Sequence, residues 1–227
     1  LAGATVPVLL DTGSSDLWVY FKNTPPDAAQ IVDTGKQVTL RYAIGAATGT
    51  AHRTKVSLGN LTVEDQAFLL VEDPASFNAN IRAQAYEGLL GIGPNSGSVV
   101  RKKLSKKNAD TFLQNYFNRA GTKDNYITLL LDRKNDLLDP FRGEMSINEI
   151  IPAWRNITSM PKLDVETVTR LLKSDQHWQA LTDAKIGIIG PDGLPIEFES
   201  IVPRAPDDQL VAVIDSGFTF SQVPREV

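Results

Sequence analysis

Two short stretches constrain this chain more than anything else in it. VLLDTGSSDLWV, Val8 to Val19, runs an apolar segment into Asp11 and follows it with Thr12 and Gly13. AVIDSGFTF, Ala212 to Phe220, does the same with Asp215, Ser216 and Gly217. A carboxylate at the end of an apolar strand is costly to bury alone. One Asp-Thr-Gly is a common strand-to-turn sequence and says little. Two copies, each after an apolar strand and in separate halves, predict two half-sites that must meet. Gly13 and Gly217 allow close approach of the backbone. Thr12 and Ser216 bring hydroxyls that can bond across a symmetric junction. If the turns face each other, the two carboxyls cannot both ionise cheaply, and the pair holds one shared proton. The ionised partner can then activate a water while the protonated one polarises a carbonyl. That is general acid–base hydrolysis without a metal or a covalent intermediate.

The rest of the chain reads mostly as strands. Thr5 to Leu10 is short, apolar and β-branched. Val38 to Ala43 and Thr48 to Leu58 predict a long hairpin with Gly45-Ala46-Ala47 near its tip. Leu61 to Glu72 alternates and then turns apolar, as a half-buried strand entering a core would. In YEGLLGIGP (Tyr86 to Pro94), Gly88, Gly91 and Gly93 interleave with leucine and isoleucine, which predicts another backbone passing close by. Asp110 caps the best helix, whose apolar face is Phe112, Leu113, Tyr116 and Phe117. Asn125 to Asp132 and Gly143 to Ile150 are further strands, and Val165 to Lys173 a second helical stretch. Pro191-Asp192-Gly193 predicts a hairpin turn. The last strand, Leu210 to Ile214, ends on Asp215. The repeated motif implies two lobes on one plan, residues 1–155 and 156–227.

Composition removes several alternatives. With 227 residues, 42% of them hydrophobic, there is material for a substantial core. A net charge of −4 excludes a general polyanion binder, and no nucleic-acid partner is expected. The basic run Arg101 to Lys107 reads as a solvated loop or helix start. Cysteine is absent, so disulfides, thiol catalysis and thiolate metal sites are excluded. No apolar stretch approaches the roughly 18 residues of a membrane span. His52 and His177, the two histidines, are expected at the surface or at strand edges, without metal-ligand spacing. No Gly-x-Ser-x-Gly elbow accompanies them, and the three glycines of Tyr86 to Pro94 do not make a nucleotide-binding fingerprint. Trp154 and Trp178 read as packing residues, and Asp16 as a surface or turn residue rather than a third acid. Asn60-Leu-Thr62 and Asn156-Ile-Thr158 are N-glycosylation sequons.

The ordered set of these segments resembles the pepsin-like aspartic proteases, family A1, over essentially the whole chain. DTGSSDLWV is similar to the family's first active-site segment, and AVIDSGFTF to the second. EGLLGIG resembles the segment threaded behind the first loop. GEMSINEI is similar to the Gly-Glu-Leu-Thr-Ile-Gly run near the end of the first lobe, and His177-Trp178-Gln179 to the Tyr-Trp-Gln that opens the second. The details look most like fungal, basidiomycete members. The resemblance implies a mainly β, bilobal fold and an aspartic endopeptidase with Asp11 and Asp215 as catalytic residues. Thr12, Gly13, Ser14, Ser216, Gly217 and Phe218 would form the active-site loops. Tyr42, Ala43, Ile44 and Gly45 would form a substrate-covering flap, with Trp18 supporting the tyrosine. It further implies no cofactor, a peptide or protein substrate, inhibition by pepstatin-type compounds, a monomer, and a secreted or vacuolar location. The alternative is a non-catalytic homologue that binds peptides or proteins.

Three departures from the family pattern carry expectations. Leu1 is not an initiator Met, ten residues precede Asp11 and twelve follow Asp215. The first lobe is therefore expected to be nearly complete and the second truncated, and these 227 residues alone to be poorly active until the remainder of the second lobe is supplied. Ala43 and Ile44 stand where the flap usually has Gly and then Ser or Thr, which stiffens the backbone and removes a hydroxyl. Phe218 stands where a hydroxyl is usual and cannot donate to the second acid, which predicts a less acidic optimum.

Overall fold

The computed structural model describes residues 1–22, 26–43, 45–72, 86–105, 109–120, 125–131, 143–165, 176–183, 188–196, 209–218 and 223. They fall into two compact units, Leu1–Tyr116 with Asp164–Val227, and Phe117–Leu163.

The first unit is built on a six-stranded sheet. Its strands are β1 (Leu9–Asp11), β2 (Leu17–Val19), β3 (Val32–Tyr42), β4 (Gly45–Leu58), β5 (Leu61–Val71) and β6 (Gly88–Gly91). Their spatial order is β1-β6-β2-β5-β4-β3. β3, β4 and β5 form an antiparallel meander. On β3, Val38 and Leu40 are buried while Gln37, Thr39 and Arg41 are exposed, the period-2 pattern of a sheet with one wet face. Val38 and Leu40 join Trp18, Ala51, Leu69, Val71 and Leu89 in the core. Full burial of such side chains stabilises by about 1.5–3 kcal/mol each. The hairpin between β3 and β4 is tighter than its glycine suggests. Tyr42 pairs with Gly45, Arg41 with Ala46 and Leu40 with Ala47, so Gly45-Ala46-Ala47 stands in the ladder and not in the turn. Gly45 takes a φ of 142°, which suits glycine at the start of β4. Ile44 lies outside the described residues.

Strand β6 runs between the two short strands of the Asp11 segment, parallel to β1 and antiparallel to β2. Its glycines are there for space. A Cβ on Gly88 would overlap the Trp18 carbonyl, one on Gly91 the backbone of Ser15 and Asp16, and one on Gly93 the Ser14 carbonyl. The contact is cemented by Gly91 N donating to Asp16 O (2.9 Å), Ile92 N to Asp11 O (2.8 Å) and Gly93 N to Ser14 O (2.7 Å). Helix α1 (Val99–Lys103) comes next, its Ser98 hydroxyl accepting from Arg101 N. Helix α2 (Phe112–Ala120) buries Phe112 and Leu113 as its pattern predicts. Its start differs from expectation. Thr111 Oγ1 accepts from Gln114 N (3.4 Å), whereas Asp110 is engaged by Arg101 Nε (2.7 Å) and Asn95 Nδ2 (2.8 Å). A cation and an amide hold that carboxylate more strongly than a lone amide would.

Strands β9 (Gln179–Asp183) and β10 (Gln209–Val213) pair antiparallel, and Ile214 N donates to Trp178 O (2.9 Å) to extend the ladder towards Asp215. The turn at Pro191-Asp192-Gly193 forms with Gly193 at φ 78°, closed by Gly190 N to Leu194 O (2.8 Å). It carries a single bridge, Ile189 to Pro195, among the described residues. Most of the predicted helix from Val165 to Lys173 lies outside them.

In the second unit, β7 (Ile127–Leu130) and β8 (Glu144–Ile147) pair antiparallel. The hydroxyls of Thr128 and Ser146 meet there, and both reach Glu149 O. Trp154 Nε1 donates to Leu129 O (3.2 Å).

Candidate active site

The two Asp-containing turns are joined by a nearly symmetric exchange. Thr12 N donates to Ser216 Oγ (3.0 Å), and Ser216 N donates to Thr12 Oγ1 (2.8 Å). Each hydroxyl then donates to the opposite strand, Thr12 Oγ1 to Ile214 O (2.7 Å) and Ser216 Oγ to Leu10 O (2.9 Å). Four bonds thus satisfy two hydroxyls, two amides and two carbonyls. Each turn also closes on its own acid, Gly13 N on Asp11 Oδ1 and Gly217 N on Asp215 Oδ1, both at 2.8 Å.

The glycines provide the close approach expected of them without any special backbone conformation. Neither has a left-handed φ. A Cβ on Gly13 would overlap the Asp215 carboxyl, and a Cβ on Gly217 would stand 2.6 Å from Asp11 Oδ1. Each glycine vacates the space that the opposite acid fills. The two carboxyls are consequently close enough to hydrogen-bond.

Asp11 is buried (5% exposed). Burial pushes its pKa above the ordinary carboxylate value, and the hydrogen bond and charge of Asp215 push the same way. Ser14 Oγ, donating to Oδ2 at 2.5 Å, and the Gly13 amide pull against that rise by favouring the charged form. At the second acid the corresponding side chain is Phe218, which has no donor and is 40% exposed.

Tyr42 ends β3 beside this loop, where the Trp18 indole and the Ser14 hydroxyl act on its hydroxyl in the sense that favours the charged form. Burial raises the Tyr42 pKa far above the ordinary phenol value, and the charges of Asp16 and Asp11 add to it. The tyrosine therefore serves as a neutral hydrogen-bonding group.

Three residues lie elsewhere than their sequence suggests. Asp16 is buried (7% exposed). Its carboxylate accepts from the Ser98 hydroxyl, from Val99 N (2.8 Å) and from Val100 N (3.2 Å). Burial raises its pKa, and those three donors hold the rise back. His177 is half-buried, and its Nδ1 bonds Gly13 O at 2.7 Å. A local pattern cannot announce either contact, because the partners lie 82 and 164 residues away. His52 is likewise at neither a surface nor a strand edge: it lies on β4 between β3 and β5, its side chain 12% exposed, with Nδ1 on Thr50 O and Nε2 facing Asp33 at 3.7 Å.

This geometry can be set beside known proteins. A family model described as eukaryotic aspartyl protease matches residues 3–137. Cathepsin D of Gallus gallus is 26% identical over 88% of this chain and 54% of its own length. Polyporopepsin of Irpex lacteus is 29% identical over 40% of the chain and 25% of its own length. Pepsin A-5 of Mus musculus is 35% identical over 40% of the chain and 26% of its own length. The crystal structure of the aspartic proteinase from Irpex lacteus superimposes with a TM-score of 0.65 at 17% identity, covering 98% of this chain and 58% of that one. The fold is therefore that of the aspartic proteinases, and the chain spans between about half and a quarter of the curated relatives it matches. The family match covers more than half of the 227 residues and includes the Asp11 turn, the meander and the threaded β6, so the chain belongs to the eukaryotic aspartyl protease family.

Proposed function

We propose that the protein is an aspartic endopeptidase and that Asp11 and Asp215 are its catalytic pair. The observation that carries this reading is the reciprocal fit of the two turns, in which each glycine makes room for the other turn's acid. Two carboxyls so close titrate as one unit, a behaviour for which aspartic proteases are the familiar instance. The ionised carboxyl takes a proton from a water as its oxygen attacks the peptide carbonyl carbon. The protonated carboxyl donates to the carbonyl oxygen. Collapse of the tetrahedral intermediate breaks the C–N bond, and the amine leaves with a proton from the dyad.

In this reading Ser14 tunes Asp11, and Tyr42, Ala43, Ile44 and Gly45 cover the peptide with Trp18 behind them. Peptide or protein substrates, inhibition by pepstatin-type compounds and a monomeric state belong to the same proposal. So do a fungal source, a secretory or vacuolar location, and a division into lobes at 1–155 and 156–227. Asn60, exposed in the turn between β4 and β5, and Asn156, also exposed, are the proposed glycan acceptors.

The test is peptide hydrolysis at acid pH by the full-length protein and its Asp11→Asn variant. Activity that survives the substitution excludes the mechanism. Phe218, which withholds a donor from the second acid, favours one competitor, a relative that binds peptides without cutting them. Tight peptide binding with no turnover in the wild type would select it.

A further inference from the structure

Three contacts of one short segment converge on the dyad. His177 Nδ1 bonds Gly13 O at 2.7 Å. Trp178 Nε1 donates to Ile92 O at 2.9 Å, one residue beyond the strand threaded behind the Asp11 loop. Trp178 O accepts from Ile214 N at 2.9 Å, the residue before Asp215. The same segment is seated tightly at its other end, because a Cβ on Gly97 would stand 2.5 Å from Gln176 O. β9 and β10 pair Gln179 with Val213, and the Trp178 bond adds the next step. One further step of that register places His177 across from Asp215.

We propose that His177 is a positioning residue, whose Nδ1–H holds the Gly13 carbonyl and so fixes the Asp11 turn against the strand that carries Asp215. The inference rests on the catalytic pair proposed above. A carbonyl only accepts, so the imidazole must carry its proton on Nδ1. Gly13 O belongs to the peptide unit that leads into Ser14, and Ser14 donates to Asp11 Oδ2. Gly13 Cα in turn faces the Asp215 carboxyl. Rotation of that one peptide would therefore move the Ser14 donor and the spacing between the acids together. The exchange between Thr12 and Ser216 ties the turns at one level, and His177 ties them at a second, from a residue in neither repeat. It acts through Gly13 and has no role in proton transfer.

The experiment uses the full-length protein with His177→Phe, which keeps a ring without the donor, and His177→Asn, whose amide nitrogen can stand where Nδ1 does. In His177→Phe, kcat on a peptide substrate is expected to fall about tenfold with KM unchanged, and His177→Asn to recover most of it. Amide exchange at Gly13 is expected to quicken in His177→Phe and to recover in His177→Asn. A kcat within about twofold of wild type in His177→Phe overturns the proposal. So does a change confined to KM, or an Asn variant as slow as Phe. The exchange readout does not depend on turnover. If the wild type proves inactive, the endopeptidase reading fails by itself, and unaltered Gly13 exchange separately overturns the role of His177. Should His177→Phe not fold, His177→Gln, whose donor sits at the Nε2 position and misses the carbonyl, is read by the same criteria.

Discussion

Gly217→Ala isolates the reason for the paired glycines. A methyl there would stand 2.6 Å from Asp11 Oδ1, 2.9 Å from its Cγ and 3.1 Å from Asp215 Oδ1, whereas ordinary contact begins near 3.4 Å. Asp11 cannot retreat cheaply, since Ser14 and Gly13 hold its two oxygens at 2.5 and 2.8 Å. The carboxyls must therefore separate by about 0.8 Å. A misplacement of about 1 Å costs about 100-fold in rate, or about 2.7 kcal/mol in the barrier. Stability should respond less, because two effects oppose. Gly217 is not in the left-handed region, so alanine adds no backbone strain and removes unfolded-state freedom worth about 0.4–1 kcal/mol, which offsets part of an overpacking cost of about 1–3 kcal/mol from displacing Asp11. The assay is kcat and KM on a peptide substrate, with thermal unfolding in parallel. A kcat within about twofold of wild type would refute the reasoning. Activity lost only in proportion to the protein unfolded at the assay temperature would show that glycine serves the turn and not the neighbouring acid.

Ser14→Ala and Phe218→Thr form a matched pair. Removing the Ser14 donor disfavours the charged form of Asp11, whose pKa burial already raises, so the acidic limb of the pH–rate profile moves to higher pH. Introducing a hydroxyl at Phe218 supplies a donor to the ionised dyad and moves that limb to lower pH; unchanged profiles in both variants would remove hydrogen bonding as the control. Asp16→Asn keeps one acceptor but turns an amine towards a backbone N–H, and a drop of about 1–3 kcal/mol is expected in denaturant titrations at neutral pH. The sign of the pH dependence is fixed by the direction of the shift. Because burial lifts Asp16 above 3.8, the folded state binds its proton more tightly than the unfolded state does. The proton-linked part of the Asp16 contribution is thus greatest below 3.8 and is lost as pH rises through the raised value, while the bonds from Ser98, Val99 and Val100 remain. Asp11 acts in the same sense, so the difference between wild type and Asp16→Asn is the quantity to measure; a difference independent of pH would contradict the buried carboxyl.

Features set by local order are legible in the chain. The alternation through Val38 and Leu40 marks β3. The glycines at 88, 91 and 93 mark β6 as a strand crossed by another backbone. The two Asp-Thr/Ser-Gly turns announce a junction, because two strand-ending acids are costly unless they meet. Long-range contact decides the rest. β2 is three residues inside a motif, and it is a strand because β5 and β6 flank it. Gly45 stands in the ladder opposite Tyr42 because register across β3 and β4 outweighs the turn preference of one glycine.

The limit is sharpest within the site, where sequence symmetry reveals the parts that are duplicated and hides those that are not. Aligned on their acids, the two copies set Ser14 against Phe218 and Asp16 against Phe220. The first turn therefore has a donor to its acid and a buried carboxylate on Ser98, Val99 and Val100, while the sequence of the second supplies phenylalanine at both positions. The Asp11 turn is further held by His177, a residue outside either repeat. Equal motifs thus carry unequal restraint. The asymmetry predicts that Ser14 and His177 substitutions perturb the dyad through Asp11, and that Phe218 is the position from which its second acid can be retuned.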